Sequence, residues 1–475
     1  MNPKQIQIIS REGNPRAILI FLGWGMDAVP FQSLRKPGYD LIAAYDYAAQ
    51  APAIDSRLQG YSEIVVVAWS FGVRAATDFL ASTTLPVTRT IAVNGTRQHV
   101  HDTLGIPHAI FQGTLKGLSP ASVEKFRRRM CGSAASYKGF RANAPQRDFD
   151  SLKSELQEFA DTAPSSSTMQ WTHVVISGRD MIFPMQAQQR AWDGQASISV
   201  LEDAPHLPDF QKVLDRFVID KELVAQRFSQ ASETYTRHAT VQAQSAAHLW
   251  ELLKTHLKPG KKYGNIIEIG AGSGLLTRLY STSLTFDSLQ LWDIASIDRN
   301  LILERATAVN CDAESRINAI ADNSIDMLLS ASTLQWFNSP ETFIRRASAK
   351  ITRGGIMALS FYAPGTCSQL SSAGMALNYP SPKACADAAQ EVGLTVLYLS
   401  EETQTITFPS PAEAMRHLRL TGVNALGRDG SASIAARKIL REYPLNPDGS
   451  APLTYRPAYL IAIKDKDIRD ISDIS

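Results

Sequence analysis

The sequence predicts an α/β protein with two domains, and three features support this prediction. The chain has 475 residues, which is too long for one hydrophobic core and suits two domains of about 200 to 250 residues. Short apolar runs that end in turns alternate with helical patterns, as strands and helices do in α/β folds. Residues 206–230 read as the last helix of one domain, a charged joint and the first helix of the next. We therefore place the domains at residues 1–217 and 222–475.

The composition argues against several classes of function. The formal net charge of +2 at pH 7 predicts no general attraction to nucleic acid or membranes. No segment approaches the roughly 20 apolar residues of a membrane span, and the N-terminus lacks the pattern of a signal peptide. The four cysteines are scattered without a CxxC pair, which favours reduced thiols over disulfides or a metal site. We expect a cytoplasmic protein with no metal, no nucleic-acid partner and no membrane partner.

In the first domain, one strand leads directly into a serine. Residues 63–69 predict a buried strand, and Ser70 separates it from a helical pattern over residues 73–80. A strand that turns sharply into a helix with serine at the corner is typical of the nucleophile elbow of an α/β-hydrolase fold. Gly72 is the small residue that the elbow needs after the serine, whereas Ala68 stands where glycine is usual. Other apolar runs predict strands at residues 17–22, 40–45, 171–177 and 198–201.

Two later strand ends offer partners for this serine. Asp180 follows the strand at 171–177 and His206 follows the strand at 198–201, and serine, aspartate and histidine follow one another in this order in α/β-hydrolase folds. The histidine would take the serine proton, and the carboxylate would orient and stabilise the imidazole. Asp203 and Asp209 are nearer in sequence but lie in the histidine's own loop. Each residue alone also fits a turn or a helix entry, but the three in this order favour a catalytic triad.

Main-chain N–H groups next to the serine predict an oxyanion hole. One belongs to Phe71, which follows the nucleophile, and the other to the glycine turn after the first long strand, where we choose Trp24. The alternative is that the glycines on either side of Trp24 only form a turn.

A helical region at about residues 97–165 interrupts the strands where α/β-hydrolases carry a cap. One of its short helices is strongly basic, which predicts either a solvated face or a docking surface for an acidic protein or a phosphate. Its basic residues are Lys125, Arg127, Arg128 and Arg129.

The first domain resembles the BioG family of pimeloyl-acyl carrier protein (pimeloyl-ACP) methyl ester esterases. The resemblance rests on residues 23–27 (GWGMD), 68–76 (AWSFGVRAA), 92–96 (AVNGT), 105–115 (GIPHAIFQGTL), 126–132 (FRRRMCG) and 178–184 (GRDMIFP). It implies that the arginines of the cap meet an acyl carrier protein. It also implies that the enzyme cleaves a methyl ester at the far end of a carrier-bound chain.

The second domain begins with a glycine-rich turn between a strand and a helix. Residues 265–269 predict a strand, and the GxGxG turn at residues 270–274 precedes a helical pattern at residues 275–280, as in Rossmann-like nucleotide-binding folds. The GxGxG spacing and the preceding Glu268 favour S-adenosylmethionine over a dinucleotide, and hence a class I Rossmann-like methyltransferase fold. The predicted cofactor-binding residues of this turn are Glu268, Gly270, Ala271, Gly272 and Gly274.

Further cofactor contacts are predicted at later strand ends and on an upstream helix. Asp293 ends the next strand and would accept the ribose hydroxyls, and Asp312 lies where the adenine edge is expected. Residues 228–242 predict one amphipathic helix that covers the cofactor with Tyr235 and His238. A buried aromatic residue and a capped histidine are the alternative. Residues 453–463 predict the final antiparallel strand, and residues 465–475 a polar tail.

The second domain resembles the BioC family of malonyl-ACP O-methyltransferases. The resemblance rests on residues 228–242 (FSQASETYTRHATVQ), 268–277 (EIGAGSGLLT), 332–340 (STLQWFNSP) and 408–426 (FPSPAEAMRHLRLTGVNAL). It implies that the acceptor is malonyl thioester on acyl carrier protein. Arg416, Arg419 or His417 would then face the malonate carboxylate or the carrier. A solvated helix face is the alternative.

The two resemblances together imply a bifunctional enzyme of biotin-precursor synthesis. It would methylate malonyl-ACP with S-adenosylmethionine, and it would later hydrolyse the methyl ester of pimeloyl-ACP. One alternative is a small-molecule methyltransferase fused to a general carboxylesterase. Another, suggested by Ala68, is a first domain that docks the carrier without catalysis.

Overall fold

The computed structural model describes residues 1–48, 54–163, 165, 167, 171–301, 305–373, 377–422 and 440–464. The chain folds as two compact units, Met1–Leu214 and Asp215–Ser475. Each unit contains a seven-stranded sheet with helices between the strands, which confirms the predicted α/β class.

The sheet of the first unit is parallel except at one edge. Its strands are β1 (Asn2–Ser10), β2 (Arg16–Phe21), β3 (Asp40–Ala48), β4 (Glu63–Trp69), β5 (Val87–Val93), β6 (His173–Arg179) and β7 (Ser197–Pro205). They are arranged in the order β1-β3-β2-β4-β5-β6-β7, and β1 pairs antiparallel to β3. Every residue of the central strand β4 is buried, which explains its continuous apolar run.

Helices connect these strands, and several of them lie between β5 and β6, where the cap is predicted. The helices that begin in this unit are α1 (Gly72–Ser82), α2 (His108–Lys116), α3 (Pro120–Cys131), α4 (Ala134–Ala142), α5 (Phe149–Asp161), α6 (Met185–Trp192) and α7 (Phe210–Phe217). The basic helix α3 begins at a reciprocal cap, in which Ser119 and Ser122 each accept the other's main-chain N–H. Such caps satisfy N–H groups that the first helical turn leaves unpaired.

The second unit contains a Rossmann-like sheet. The strands of this unit are β8 (Lys262–Ile269), β9 (Thr285–Asp293), β10 (Ala306–Asn310), β11 (Ile325–Ala331), β12 (Ile351–Tyr362), β13 (Leu394–Glu401), β14 (Gln404–Phe408), β15 (Ala451–Tyr455) and β16 (Pro457–Lys464). Strands β14 and β15 form a separate two-stranded sheet. The main sheet has the order β10-β9-β8-β11-β12-β16-β13. Its first five strands are parallel in the Rossmann order 3-2-1-4-5. Strand β16 pairs antiparallel to both β12 and β13.

The helices of the second unit surround this sheet. They are α8 (Lys221–His238), α9 (Thr240–Lys254), α10 (Thr277–Tyr280), α11 (Ala313–Arg316), α12 (Pro340–Lys350), α13 (Pro382–Gln390) and α14 (Pro411–Leu420). The prediction of one helix over residues 228–242 is wrong, because α8 ends at His238 and α9 begins at Thr240. Between them Ala239 leaves the helical conformation, with φ −80° and ψ 48°.

The prediction of one final strand over residues 453–463 is also wrong. The chain leaves one sheet at Tyr455 and enters another at Pro457, since β15 pairs with β14 whereas β16 joins the main sheet. Pro457 restricts the conformation of the preceding Arg456, whose guanidinium donates to the Pro364 carbonyl and to Glu401. The predicted tail at residues 465–475 lies outside the described residues.

Candidate active sites

The turn between β4 and α1 holds Ser70 in a strained conformation. Ser70 has φ +59°, which is uncommon for a residue other than glycine. Its main-chain N–H donates to the Val93 carbonyl at 2.9 Å. A Cβ atom at Gly72 would overlap the carbonyl oxygens of Phe21 and Leu22, so that only glycine allows this close approach of helix and strand. These features produce a sharp turn from strand to helix at Ser70.

The structure brings the three predicted triad residues together. His206 Nε2 lies 3.0 Å from Ser70 Oγ, and His206 Nδ1 lies 2.9 Å from Asp180 Oδ2. The side chains of His206 and Asp180 are completely buried. The other carboxylate oxygen of Asp180 accepts the main-chain N–H groups of Ile182 at 2.7 Å and Phe183 at 2.9 Å. These bonds fix the carboxylate, which in turn orients the imidazole.

The two alternative aspartates lie elsewhere. Asp203 pairs with Arg179 at 2.6 Å in a highly exposed ion pair, and Asp209 lies 3.4 Å from Lys212 on the surface. In the described part of the chain, the carboxylate that pairs with His206 is that of Asp180.

Asn94 is a supporting residue that the sequence analysis missed. Its side-chain amide donates to the His206 carbonyl at 2.9 Å and to Ser177 Oγ at 2.8 Å. Its side-chain oxygen accepts the Ser177 N–H at 2.7 Å, so that Asn94 joins the ends of β5 and β6 to the histidine loop. An asparagine directly after an apolar strand was the available signal, since Asn94 has φ +48°, a conformation in which asparagine is enriched.

The glycine turn that contains Trp24 lies against the serine. A Cβ atom at Gly23 would stand 3.0 Å from the Cβ of Ser70. Within the described part of the chain, the main-chain N–H groups of Trp24 and Phe71 donate no hydrogen bond. The Trp24 indole donates to the Leu152 carbonyl of α5 at 2.8 Å. The turn is thus fixed by its side chain, and two main-chain donors stay available near Ser70.

Three of the four predicted basic residues of α3 are exposed. Lys125, Arg128 and Arg129 face solvent, and the Arg128 guanidinium also covers the Tyr137 ring at 5.0 Å. Arg127 is only partly exposed and lies 3.8 Å from Glu124. The helix therefore presents a net positive surface.

The second unit contains a cavity of about 340 Å³ at the carboxyl ends of its parallel strands. Seven predicted cofactor-binding residues line it, namely Tyr235, Glu268, Gly270, Ala271, Gly272, Asp293 and Asp312. Two others do not belong to this lining. A Cβ atom at Gly274 would overlap the Leu301 side chain, so this glycine allows packing, and His238 lies near His417 instead.

The glycine turn and Asp293 form the floor of this cavity. Gly270 has φ +72°, and a Cβ atom there would overlap Thr333. Asp293 accepts the N–H of Gly272 at 2.9 Å and the N–H of Ala295 at 2.7 Å, while burial raises the pKa of its carboxyl to about 6. An acidic group beside a glycine turn suits the ribose of a nucleoside cofactor.

Glu268 accepts hydrogen bonds that the sequence analysis did not predict. Its carboxylate accepts hydrogen bonds from the Thr277 hydroxyl at 2.7 Å and the Tyr280 hydroxyl at 2.6 Å. Burial raises the pKa of Glu268 to about 7. Glu268 therefore ties the end of β8 to α10 and borders the cavity at the same time.

Asp312 forms a charged cluster at the far wall of the cavity. It caps α11 by accepting the Glu314 N–H at 3.2 Å. Lys221, at the start of α8, lies 3.2 Å from Asp312 Oδ1 and 2.7 Å from Glu314 Oε2. Lys221 also lines the cavity, although the sequence analysis did not select it.

Arg416 lies away from the cavity. Its side chain is 60% exposed and 3.6 Å from Glu413. The neighbouring His417 is buried, and its Nε2 lies 3.1 Å from the Tyr455 hydroxyl. A contact of Arg416 with a carrier protein stays a prediction.

The described residues contain no group of three His, Cys, Asp or Glu side chains that could hold a metal ion. In the same part of the chain, no helix combines the length and the apolar character needed to cross a membrane.

Comparisons with known proteins match a different family model in each half of the chain. A family model described as pimeloyl-ACP methyl esterase BioG matches residues 4–213, and a model described as methyltransferase domain matches residues 267–359. The crystal structure of BioG from Haemophilus influenzae is 32% identical in sequence, covers 42% of this chain and 93% of that chain, and has a TM-score of 0.39.

Relatives are found both for the whole chain and for its second half. A malonyl-[acyl-carrier protein] O-methyltransferase of Bacteroides fragilis is 34% identical over 463 residues, which cover 94% of this chain and 93% of that protein. A protein of the same name from Bacteroides helcogenes is 30% identical over 276 residues, which cover 52% of this chain and all of that protein.

Proposed function

The chain belongs to the malonyl-[acyl-carrier protein] O-methyltransferase family as a fusion of a BioG domain with a methyltransferase domain, and we propose that it performs two reactions of biotin-precursor synthesis. The second domain methylates the free carboxylate of malonyl-ACP. The first domain hydrolyses the methyl ester of pimeloyl-ACP. The methyl group hides the charge of the short acid while its chain is extended, and hydrolysis then ends the extension.

The observation that supports methyl transfer is the cavity at the Rossmann-like strand ends, with Asp293 beside the glycine turn. S-adenosylmethionine would supply an electrophilic methyl group bound to its sulfur. This methyl group would pass to the acceptor oxygen, and the electron pair of the broken bond would remain on sulfur. Asp293 would accept the ribose hydroxyls, and Asp312 would border the adenine. The acceptor carboxylate is ionised at neutral pH, so the protein needs no general base and contributes mainly by alignment.

The observation that supports ester hydrolysis is the hydrogen-bonded series Ser70–His206–Asp180. Together with the sheet order and the elbow, it supports an α/β-hydrolase fold with a cap. In the first step Ser70 Oγ attacks the ester carbonyl while His206 Nε2 takes its proton. Asp180 stabilises the resulting imidazolium, and the N–H groups of Phe71 and Trp24 would bind the oxyanion.

The remaining steps use the same residues. His206 returns the proton to the leaving methoxide, so methanol departs and an acyl ester of Ser70 remains. Water then loses a proton to His206 and attacks this ester. The bond between the acyl carbon and Ser70 Oγ breaks, His206 returns the proton to Oγ, and the free acid leaves and ionises. The triad contacts support a working hydrolase rather than a non-catalytic docking module.

Recognition of the carrier is assigned to the basic surface of α3. Acyl carrier protein is the acidic partner that the family implies, and the exposed Lys125, Arg128 and Arg129 offer it positive charge. A cytoplasmic location is also part of the proposal, and the free state of Cys131, Cys311, Cys367 and Cys385 supports it.

Mass spectrometry of the carrier tests both reactions. With S-adenosylmethionine, malonyl-ACP should gain the mass of one methyl group in place of a proton, and pimeloyl-ACP methyl ester should lose the same mass. Methylation and hydrolysis on one chain would cancel unless chain length separates the substrates. We therefore expect slow hydrolysis of malonyl-ACP methyl ester. A malonyl-ACP that gains no methyl group, although a small-molecule acid does, would favour the alternative methyltransferase.

A further inference from the structure

A second, smaller cavity of about 10 Å³ adjoins the large cavity of the methyltransferase domain. The two cavities share the lining residues Phe228, Tyr235, Gln242, Ser332 and Trp336. We call the smaller cavity the recess. Its volume is close to the roughly 10 to 15 Å³ that one water molecule needs on this scale, so the recess suits one small polar group.

Three buried polar atoms at the recess have no hydrogen-bond partner within the described part of the chain. They are the Tyr362 hydroxyl, the Ser332 hydroxyl and Gln242 Oε1. Tyr362 is only 4% exposed and Gln242 only 3%. The two hydroxyls are neighbours, but neither reaches hydrogen-bond geometry. Unsatisfied buried polar groups are rare in proteins, and three of them around one cavity indicate a site for a polar ligand group.

The recess has donors but no charged side chain among its described lining residues. The acidic Glu268 and Asp293 line only the large cavity, as does Lys221, which is paired with Asp312 and Glu314. Behind the wall of the recess, His417 bonds to the Tyr455 hydroxyl. Burial lowers the pKa of His417, which favours the uncharged form of this histidine.

We propose that the recess binds the terminal carboxylate of the acceptor, through the hydroxyls of Tyr362 and Ser332 and the side-chain amide of Gln242. This inference rests on the proposed methyl transfer to malonyl-ACP. Both hydroxyls can donate to the carboxylate, and Gln242 can present its NH₂ group, because the two ends of an amide are assigned from their surroundings.

Neutral donors suit a carboxylate that must react as a nucleophile. A bidentate arginine would bind the charged carboxylate of the substrate strongly before the reaction begins. Only interactions that strengthen in the transition state accelerate the chemical step. The reaction would therefore have to overcome the binding by arginine. Hydroxyl and amide donors orient the carboxylate without cancelling its charge. The recess would thus bind the carboxylate end of the acyl group through neutral donors, with no cationic side chain among its described lining residues.

The test compares two carrier-bound ligands that differ by the carboxylate. Calorimetric titration of the full chain should show that Tyr362→Phe weakens the binding of malonyl-ACP by about 10-fold or more, because a hydrogen bond to a charged group is lost. Binding of acetyl-ACP, which lacks the carboxylate, should stay unchanged. Ser332→Gly should act in the same direction. Glycine is suited to the φ of +57° at this position, so the change removes the hydroxyl without backbone strain.

Tyr443→Phe is the matched control. The Tyr443 hydroxyl donates to the Pro452 carbonyl at 2.7 Å, and Tyr443 does not line the recess. It should leave the binding of malonyl-ACP unchanged. Neither Tyr443→Phe nor Tyr362→Phe should alter the binding of S-adenosylhomocysteine, because neither residue lines the large cavity. Equal losses for malonyl-ACP and acetyl-ACP, or no loss for malonyl-ACP, would overturn the role of the recess. A wild-type protein that transfers no methyl group to malonyl-ACP would instead overturn the proposed function, and the inference with it.

Discussion

The carboxylate of Glu155 accepts the main-chain N–H of Gly25 at 3.1 Å, although 130 residues separate the two. Glu155 is completely buried on α5 and also accepts from Arg147 at 2.6 Å and from the Tyr47 N–H at 3.3 Å. Gly25 follows Trp24, whose indole is bound to the same helix. The cap segment therefore fixes the turn that would supply an oxyanion donor.

Substitution of Glu155 should damage hydrolysis through this turn. Glu155→Ala removes one of the two carboxylates that pair with Arg147, and Asp46 remains at 2.9 Å. It also leaves buried donors without an acceptor, so we expect the free energy of unfolding to fall by about 1 to 3 kcal/mol. We also expect kcat for ester hydrolysis to fall by about 10- to 100-fold, less than the loss of a whole oxyanion donor, with little change in KM. Glu155→Gln, which keeps an acceptor for Gly25, should recover part of kcat. The control is Gln157→Ala on the exposed side of α5; a similar loss there would contradict this role.

Asp180→Asn should disable the triad while the fold remains. The amide cannot stabilise the imidazolium and favours the wrong tautomer of His206, so we expect kcat for hydrolysis of pimeloyl-ACP methyl ester to fall by about 10⁴-fold. Methanol release measures this rate. The control is Asp203→Asn, which removes an exposed carboxylate that pairs with Arg179. This variant should change the rate of methanol release little. Comparable losses in the two variants would rule out Asp180 as the partner of His206.

Asp293→Asn should weaken cofactor binding and change its pH dependence. Loss of a charged acceptor for the ribose hydroxyls should raise the Kd of S-adenosylhomocysteine by about 10- to 100-fold. Because burial raises the pKa of Asp293 to about 6, the carboxylate is protonated below this pH. Wild-type affinity should therefore fall by about tenfold per pH unit below pH 6.

The same titration in Asp293→Asn should lack the decline near pH 6. The control is Asp287→Asn, since Asp287 lies on the same strand but pairs with Lys262 on the surface. Wild-type affinity that shows no decline between pH 6 and pH 4 would contradict the assignment of Asp293.

Charge reversal on α3 should affect only carrier-bound substrates. Lys125→Glu combined with Arg129→Glu should raise KM for pimeloyl-ACP methyl ester by about 10-fold or more at low salt, because complementary charges guide association, and salt should reduce the difference. A small methyl ester without the carrier should be hydrolysed at an unchanged rate. The control is Lys153→Glu, which reverses a charge of the same sign on a different helix, α5. If it raises KM equally, α3 is not the docking surface.

The parts of the fold that depend on local sequence were predictable. The central strand β4 is buried along its whole length. A β-branched apolar run that is followed by Ser70 and Gly72 is compatible with few structures other than a buried strand that turns into a helix. The glycine turn at β8 is equally local. Edge strand β1 was not predicted, because its exposed residues mix lysine and glutamine with isoleucine and so hide the alternation. Strand β5, with Arg89 among its apolar residues, was missed as well.

Features that depend on distant parts of the chain could not be predicted. The helix break at Ala239 has no glycine or proline to signal it. The division between β15 and β16 depends on which strands they pair with. The contact of Glu155 with Gly25 and the support of His206 by Asn94 likewise join residues that only the folded chain brings together.

The most direct test of the account is Ser70→Ala in the full chain, followed by mass spectrometry of both carrier substrates. Because each site has its own cavity or triad in its own domain, the variant should leave pimeloyl-ACP methyl ester intact and still add a methyl group to malonyl-ACP at the wild-type rate. Loss of both reactions, or persistence of both, would contradict two independent active sites on one chain.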